Sequence, residues 1–341
     1  MVMTGLFIIL LIVLLGPFFI KKIEHNLEVF LFVMGLASCL VSGMLSLHLV
    51  EEALIEPIKI TLAVFFAGIV FRYTRHYLHK GVAKILKTMP VWLFVFLMVV
   101  ILGLVSSMIT AIIAALVLVE IISALNLDKK TEIDFTIIAC FSIGLGAALT
   151  PIGEPLSTIL IAKLKSLPHV GFWYIFEIAG WYIIPGVFTL GIVSMFFHGK
   201  KSSHSLHVNE HDDTFKEITI RALKVYLFVM ALLFLGSGFK PVIDTYIITL
   251  DSRILYWVNM TSAVLDNATL AAAEISPAMT VKQIQGALMG LLISGGMLIP
   301  GNIPNIIAAN KLKITSRDWA KVGLPLGLML MMVYFLILYV L

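Results

Sequence analysis

A single glutamate lies in the middle of an apolar segment long enough to cross a bilayer, and prolines flank it on both sides. Glu154 stands in the stretch 149–158, whose sequence is LTPIGEPLST. Pro151 and Pro155 each remove a backbone donor, and Gly153 lets the chain leave helical geometry. We therefore predict two half-helices joined by unwound backbone. An ionised side chain is costly at membrane depth, so an acid at such a break indicates an ion or proton pathway.

A second stretch repeats the same punctuation about 150 residues later. Residues 298–305 read LIPGNIPN, again with two prolines around a glycine. Backbone carbonyls freed at such breaks must face protein or water rather than lipid. A pair of Pro/Gly-broken helices indicates the binding site of a secondary transporter.

The composition places the chain in a membrane. Hydrophobic residues make up 60% and charged residues 13% of the 341 residues, and the mean hydropathy is +1.05. A soluble domain carries about a quarter charged residues. The sequence thus predicts an all-α polytopic membrane protein with no room for a separate soluble enzyme domain.

We predict eight membrane spans and two re-entrant hairpins. The apolar segment 91–125 is too long for one ordinary span and short for two with a loop, and Ser106, Ser107 and Thr110 mark its centre. We interpret it as a hairpin with its tip near the midplane, and two short full spans remain an alternative. Residues 254–275 form the second hairpin. The spans lie at about 3–20, 27–49, 57–71, 135–163, 172–197, 221–239, 283–310 and 319–341.

These features recur in the same order, which predicts two structural repeats. We assign the N-terminal scaffold spans to residues 1–56, repeat 1 to 57–197, a cytoplasmic linker to 198–220 and repeat 2 to 221–341. Hairpin 91–125 and broken helix 135–163 belong to repeat 1, and hairpin 254–275 and broken helix 283–310 belong to repeat 2. Each repeat holds an odd number of crossings, so the second copy is inverted relative to the first.

The distribution of Lys and Arg predicts the orientation. The basic clusters at 21–22, 72–87, 129–130, 200–224 and 311–321 all fall on one side of this topology, and an acidic loop at 51–56 falls on the other. We interpret 72–87 as an interfacial helix. Because basic residues accumulate inside, both termini are expected outside the cytoplasmic (inner) membrane.

Two acids, Glu154 and Asp266, are expected to approach the centre of the protein. Desolvation raises the pKa of a carboxyl and a bound cation lowers it, so one site can hold a proton or a metal ion in turn. Either acid could instead pair structurally, and the hydroxyls near 106–110 could merely satisfy backbone at a bend. The candidate cation- and proton-binding residues are Glu154, Asp266, Asn267, Thr150, Ser157, Thr158, Thr269, Asn302, Asn305, Ser106, Ser107 and Thr110. Glu120, Glu177 and Glu274 are expected nearer interfaces or element ends, with Glu120 a possible proton relay.

Two of these stretches resemble a known family. TPIGE at 150–154 is similar to the TPIGD motif of the NhaD-type sodium/proton antiporters, and SAVLDN at 262–267 is similar to their SAIVDN motif. Both motifs belong to the wider ion transporter superfamily of arsenite extruders and dicarboxylate carriers. The resemblance implies a homodimer in which a mobile transport domain moves against a scaffold by an elevator mechanism. Glu154 replaces the family's aspartate, and Thr110 and Ala111 stand where those antiporters have an acid or asparagine pair.

The leading hypothesis is sodium or lithium export in exchange for protons, with Glu154 and Asp266 as the ligands of the sodium ion. The alternative is sodium-coupled transport of a small carboxylate or oxyanion. A membrane enzyme or a scaffold subunit is the third possibility, but the sequence has no nucleophile elbow or phosphate loop. We expect no enzymatic activity, no bound cofactor and no nucleic-acid partner; the partners are the ions, the bilayer and a second copy of the chain.

Overall fold

The computed structural model is helical throughout the part of the chain that it describes. It describes residues 2–20, 22–23, 26–125, 127–196, 214–242, 245–246, 250–265 and 267–341. Five helical segments in it are long and apolar enough to cross a membrane: Leu47–Thr74, Val91–Ile109, Tyr174–Phe196, Phe215–Val242 and Ser316–Tyr339. The prediction of an all-α membrane protein is confirmed at this level.

The α-helices are numbered in chain order. They are α1 (Val2–Phe19), α2 (Leu27–Ser42), α3 (Leu47–Thr88), α4 (Val91–Ile109), α5 (Ala111–Leu125), α6 (Lys129–Ala147), α7 (Pro155–Leu164), α8 (Tyr174–Phe196), α9 (Phe215–Val242), α10 (Ser252–Val258), α11 (Asn267–Glu274), α12 (Val281–Gly295), α13 (Ile303–Leu312) and α14 (Ser316–Tyr339). Two 3₁₀ turns, Asn259–Ala263 and Ile299–Gly301, complete the described elements.

Both predicted breaks are present. Helix α6 ends at Ala147 and α7 begins at Pro155, with turns between them. Helix α12 ends at Gly295, and α13 begins at Ile303 after a short 3₁₀ turn. The proline pairs therefore interrupt each helix where the sequence predicted, because proline is tolerated in a first turn but not within a helix.

Helices α4 and α5 run in opposite directions on either side of Thr110. Thr110 has a positive φ of 77°, which ends α4 and turns the chain. Ser142 donates to the Val99 carbonyl at 2.9 Å and Thr150 donates to the Ser107 carbonyl, so α4 runs beside α6 in the same direction.

Helix α5 instead runs antiparallel to α6. Its start shares an apolar cluster with Ile303 and Ile307, and Glu120 near its end meets Lys311, so α5 follows α13 from beginning to end. Helix α13 is antiparallel to α6, because the Lys129 ammonium reaches the Leu312 carbonyl while Cys140 lies at the Pro304 carbonyl. Segment 91–125 is thus a helical hairpin in shape.

Helices α1, α2, α3 and α9 pack as a separate group. Helix α9 lies against both α2 and α3, and α1 lies against α2. Close approach is possible because Gly35 meets the Ala231 carbonyl and Gly238 meets Ser38. Residues 197–213 of the predicted linker lie outside the described residues, and α9 already begins at Phe215, so 215–220 is helical.

The region before α3 differs from the predicted topology. Helix α2 ends at Ser42 because Gly43 adopts a left-handed conformation, with φ of 72°. Ser46 then caps α3 by accepting from the Leu49 amide. The acidic residues 51–56 therefore lie in a helix, and the predicted acidic loop is wrong. The boundary drawn at 56/57 and the basic stretch 72–87 both fall inside this one 42-residue helix.

The crossing of α4 and α6 depends on glycines that let two backbones touch. A Cβ added at Gly146 would overlap the carbonyl group of Gly103. We expect Gly146→Ala to push the helices apart and to destabilise the protein by about 1–3 kcal/mol or more. The measurement is the thermal unfolding midpoint of the detergent-solubilised protein.

Gly81→Ala is the matched control. A Cβ at Gly81 would meet nothing within 4 Å on the exposed surface of α3. Its midpoint should stay unchanged or rise slightly, because alanine favours helix over glycine. Equal midpoints for the two variants would contradict the close-packing argument.

Candidate functional site

Glu154 stands at the N-cap position of the second half of the first broken helix, without a side-chain capping hydrogen bond. It has extended backbone, with φ −154° and ψ 158°, and stands immediately before Pro155 at the start of α7. Its side chain is 5% exposed. The amino end of α7 favours a negative charge at this point, whereas burial disfavours one.

The tip of the α4–α5 hairpin closes the first break. The Ala111 amide donates to the Gly153 carbonyl at 2.8 Å, and the Thr150 hydroxyl donates to the Ser107 carbonyl. Ser157 donates to the Ala148 carbonyl at 3.0 Å across the unwound segment. The tip of the α4–α5 hairpin and the first break are therefore direct neighbours.

Several predicted hydroxyls have ordinary backbone roles as donors. Ser106 donates to the carbonyls of Gly103 and Ile143, and Ser107 donates to Leu104. Thr110 accepts weakly from the Ile113 amide at the start of α5. Thr158 is exposed and donates to the Pro151 carbonyl. These contacts favour the structural interpretation of the hydroxyls at the bend, although their oxygens keep acceptor capacity.

The second break carries two asparagines in corresponding places. Asn302 caps α13 by accepting from the Ile303 amide at 2.8 Å. Asn305 donates to the carbonyls of Gly295 and Leu298 at 2.8 and 2.9 Å and is fully buried. Its Oδ1 atom has no hydrogen-bond partner among the described residues. An amide oxygen in this state is available to a cation.

The two broken helices meet each other. A Cβ built on Gly144 of α6 would lie 2.9 Å from the Asn302 amide nitrogen. Gly296, just after α12, faces the ring of Phe141 in α6. The indole of Trp319 in α14 donates to the Gly296 carbonyl at 3.1 Å. The second break therefore packs against the last turns of α6, which lead into the first break.

Helix α11 contributes Asn267 to this region. Asn267 begins α11, is 4% exposed, and has its amide nitrogen near Gly295. That nitrogen has no acceptor within the described part of the chain. Asp266 and the side chain of Thr269 lie outside the described residues. The structure thus brings Glu154, Asn302, Asn305 and Asn267 to the breaks and leaves Asp266 a prediction.

This arrangement can hold a hard cation through oxygen atoms. Glu154 supplies a carboxylate, Asn305 a buried amide oxygen, and the unwound segments supply carbonyls. Monovalent cations have no strong preference for the direction of their ligands, so these oxygen atoms suit them. The carboxyl-terminal ends of the half-helices add negative electrostatic potential. In the described residues no group of three or more His, Cys, Asp or Glu could hold a metal ion.

A cavity of about 330 Å³ leads to the second break. One wall is a single face of α13, formed by Ile306, Ala309, Asn310 and Lys313. The opposite wall comes from α2 and α9, and it includes the Lys224–Glu28 ion pair at 2.7 Å. The cavity reaches Ile299 within the break, a distance of about 15 Å along the ten-residue half-helix.

Two acids expected near element ends prove to be buried. Glu120 is 4% exposed and forms an ion pair with Lys311 at 3.3 Å, joining α5 to α13. Glu274 is 5% exposed and lies beside Asn259. Glu177 is exposed, as expected. The sequence signal for the Glu120–Lys311 pair was a charged residue within each of two apolar helices. Because about 190 residues separate them, the sequence did not indicate that they pair.

The Glu120–Lys311 pair gives a stability prediction. Glu120→Gln leaves the Lys311 ammonium without its counter-charge in a buried place, which should cost about 3–5 kcal/mol. The double variant Glu120→Leu with Lys311→Met should recover most of that loss. Denaturation midpoints of both variants and the wild type measure it, and a double variant as unstable as the single one would argue against a simple pair.

The comparisons with known proteins are brief. A family model described as "Protein of unknown function (DUF1646)" matches residues 3–341. No curated protein matches the chain.

Proposed function

The chain belongs to the DUF1646 family of proteins of unknown function, and we propose that it is a secondary active transporter exchanging sodium or lithium ions for protons. The observation that carries this proposal is a buried carboxylate, Glu154, at the break of one helix, beside a second broken helix with a buried amide oxygen on Asn305. Such sites bind substrate and coupling ions in transporters.

The packing of the two halves supports an inverted repeat. Helix α5, the second limb of the first hairpin, packs on α13, the second half of the other broken helix. Helix α11, the second limb of the second hairpin, packs on α7 in the same way. Ser142 and Ser294, each late in the first half of a broken helix, both donate to a carbonyl in the first limb of their own hairpin. Both hairpins are re-entrant in this proposal.

The same packing supports an elevator. The group formed by α1, α2, α3 and α9 is the scaffold, and the hairpins and broken helices, with α8 and α14, form the body that carries the site. The scaffold mediates a homodimer in the cytoplasmic membrane, with both termini outside. The motifs at 150–154 and 262–267, which resemble those of NhaD-type antiporters, agree with this division of labour.

Exchange follows from competition for one carboxylate. A cation that reaches the break from the cytoplasm displaces the proton of Glu154, which leaves to the same side. The carboxylate and its cation then cross together, and on the other side a proton replaces the cation. Glu154 is neutralised in both directions, so the moving body never carries its bare charge through a low-dielectric region. Asp266 is the second exchangeable ligand in this proposal.

The cavity beside α13 provides the entrance. It opens among Lys313, Thr315 and Ser316, on the side where α13 ends and α14 begins, and this is the basic, cytoplasmic side of the predicted topology. Polar groups line its mouth and Ile306 and Ile299 line its inner part. The described conformation therefore fits the inward-facing state of the transporter.

One observation favours the alternative of a carboxylate or oxyanion cargo coupled to sodium. The buried amide nitrogen of Asn267 is a donor without an acceptor among the described residues. A carboxylate oxygen would satisfy it, provided a cation first neutralises Glu154. Reconstitution with only sodium and a pH gradient separates the two functions, because exchange without any organic anion selects the antiporter.

The central prediction concerns Glu154. Glu154→Gln keeps the shape of the side chain but can neither release a proton nor bind a cation as a carboxylate. We expect it to abolish sodium-dependent proton release from everted vesicles, and Asp266→Asn to do the same, while both proteins still insert. Glu177→Gln, at an exposed acid of α8, should exchange at the wild-type rate. Wild-type exchange by Glu154→Gln would refute the site.

The entrance gives a separate prediction from neighbouring alanines. Ala309 lines the cavity, whereas Ala308 is fully buried and does not line it. A small charged methanethiosulfonate should modify Ala309→Cys from the cytoplasmic side and leave Ala308→Cys unmodified. The native Cys39 and Cys140 are free and buried, so they should contribute little background. Modification from the outside alone would contradict the proposed direction of opening.

A further inference from the structure

Glu274 is a buried acid that the exchange at the breaks does not use. It ends α11, the second limb of the second hairpin, and is 5% exposed. Its neighbour is the fully buried side chain of Asn259, in the 3₁₀ turn of the first limb. The side-chain amide nitrogen of Asn259 donates to the Ala287 carbonyl at 3.3 Å. The Oδ1 atom of the same side chain therefore points away from that hydrogen bond.

Three oxygen atoms at this place lack a donor. Both carboxyl oxygens of Glu274 and the Oδ1 atom of Asn259 are buried without a hydrogen-bond partner among the described residues. All three are acceptors when Glu274 is ionised, and none can then satisfy another. A single proton on Glu274 changes this, because the acid becomes a donor that can point at Asn259.

Among the described residues, no cation lies beside the acid. Helix α11 packs on α7, α9, α12 and the 3₁₀ turn. The lysines of these helices nearest their ends, Lys163, Lys240 and Lys282, are exposed. The other described ionisable side chains on them are Glu154 on α7 and Lys216, Glu217, Lys224 and Tyr226 on α9. The described neighbour of Glu274 is the neutral side chain of Asn259; a hydrogen bond from its amide nitrogen would lessen, but not remove, the cost of burying a charge there.

The corresponding acid of the first hairpin shows the contrast. Glu120 also lies on the second limb of its hairpin, but Lys311 of the opposite broken helix meets it at 3.3 Å. Lys163 is the last residue but one of α7, as Lys311 is of α13, yet Lys163 is exposed. The charge of Glu120 is balanced by a lysine, whereas a proton is left to neutralise Glu274.

We propose that the Glu274 carboxyl, with Asn259 beside it, is a proton-binding site in the second hairpin, separate from the cation site at the breaks. A buried charge without a partner is more costly than a neutral carboxyl that donates one hydrogen bond. The site itself stands without the antiporter, and only its place in ion exchange rests on the proposed function. In this proposal, Glu274 exchanges its proton with the side of the membrane toward which the second hairpin opens.

The first test measures stability against pH and needs no transport. The folded protein holds the Glu274 proton more tightly than the unfolded chain does. The stabilisation that this proton contributes is therefore fully present in acid and is lost as the pH rises. Glu274→Gln should lose that component, so its unfolding midpoint should fall less between acid and alkaline pH than that of the wild type. Glu177→Gln is the matched control and should follow the wild type. Parallel curves for Glu274→Gln and the wild type would overturn the proposal.

Infrared spectroscopy keeps the proposal testable if Glu274→Gln folds poorly. The wild type at neutral pH should show a carboxylic-acid carbonyl band that is insensitive to sodium, and Asn259→Ala should shift it because the hydrogen bond is lost. A band that disappears on adding sodium belongs to the exchangeable site instead and counts against Glu274. Normal Glu274 results together with an inactive transporter would reject the proposed function while leaving this site intact.

Discussion

Backbone groups freed inside an apolar medium have to be satisfied by the protein itself, and the architecture around the two breaks follows from that requirement. The carbonyls exposed where α6 and α12 end are met by Ser157, Asn305 and the indole of Trp319. The tip of the first hairpin reaches the first break, where the Ala111 amide donates to Gly153. A helix can be interrupted here because a second element, brought from elsewhere in the chain, closes the gap.

The two breaks are alike in backbone and unlike in charge. Each second half-helix has proline in its first turn, but the N-cap residue is Glu154, without a side-chain capping hydrogen bond, in one case and Asn302, whose side chain accepts from the Ile303 amide, in the other. An asparagine satisfies the amino end of a helix without titrating, whereas a glutamate brings a charge that depends on pH and on cations. The two breaks thus differ in chemistry: the first presents the titratable Glu154, and the second presents the neutral, buried amide oxygen of Asn305.

Local chemistry could be predicted from the sequence, and partnerships distant in the chain could not. Pro151, Gly153 and Pro155 act on their own backbone, so the first break was predictable to within a few residues. The course of α3 was not predictable. Ser46 caps the start of this helix and Pro57 lies within it, whereas the acidic residues at 51–56 suggested a loop. Glu274 does lie at the end of α11, but the sequence did not show that Glu274 and Glu120 are buried, or that Asn259 and Lys311 are their neighbours.

The placement of the charges bears on how such a body could move. Lys224 pairs with Glu28 inside the group of α2 and α9, and Lys311 pairs with Glu120 inside the group that holds the breaks. Across the boundary between these groups, Val64, Val225 and Val229 meet Ala115, Leu116, Ile303 and Ile307. A shift along that boundary exchanges one apolar contact for another and breaks neither buried pair, so its cost stays low. The Glu120–Lys311 pair also ties helix α5 to helix α13, so a shift along the boundary would carry these two helices together.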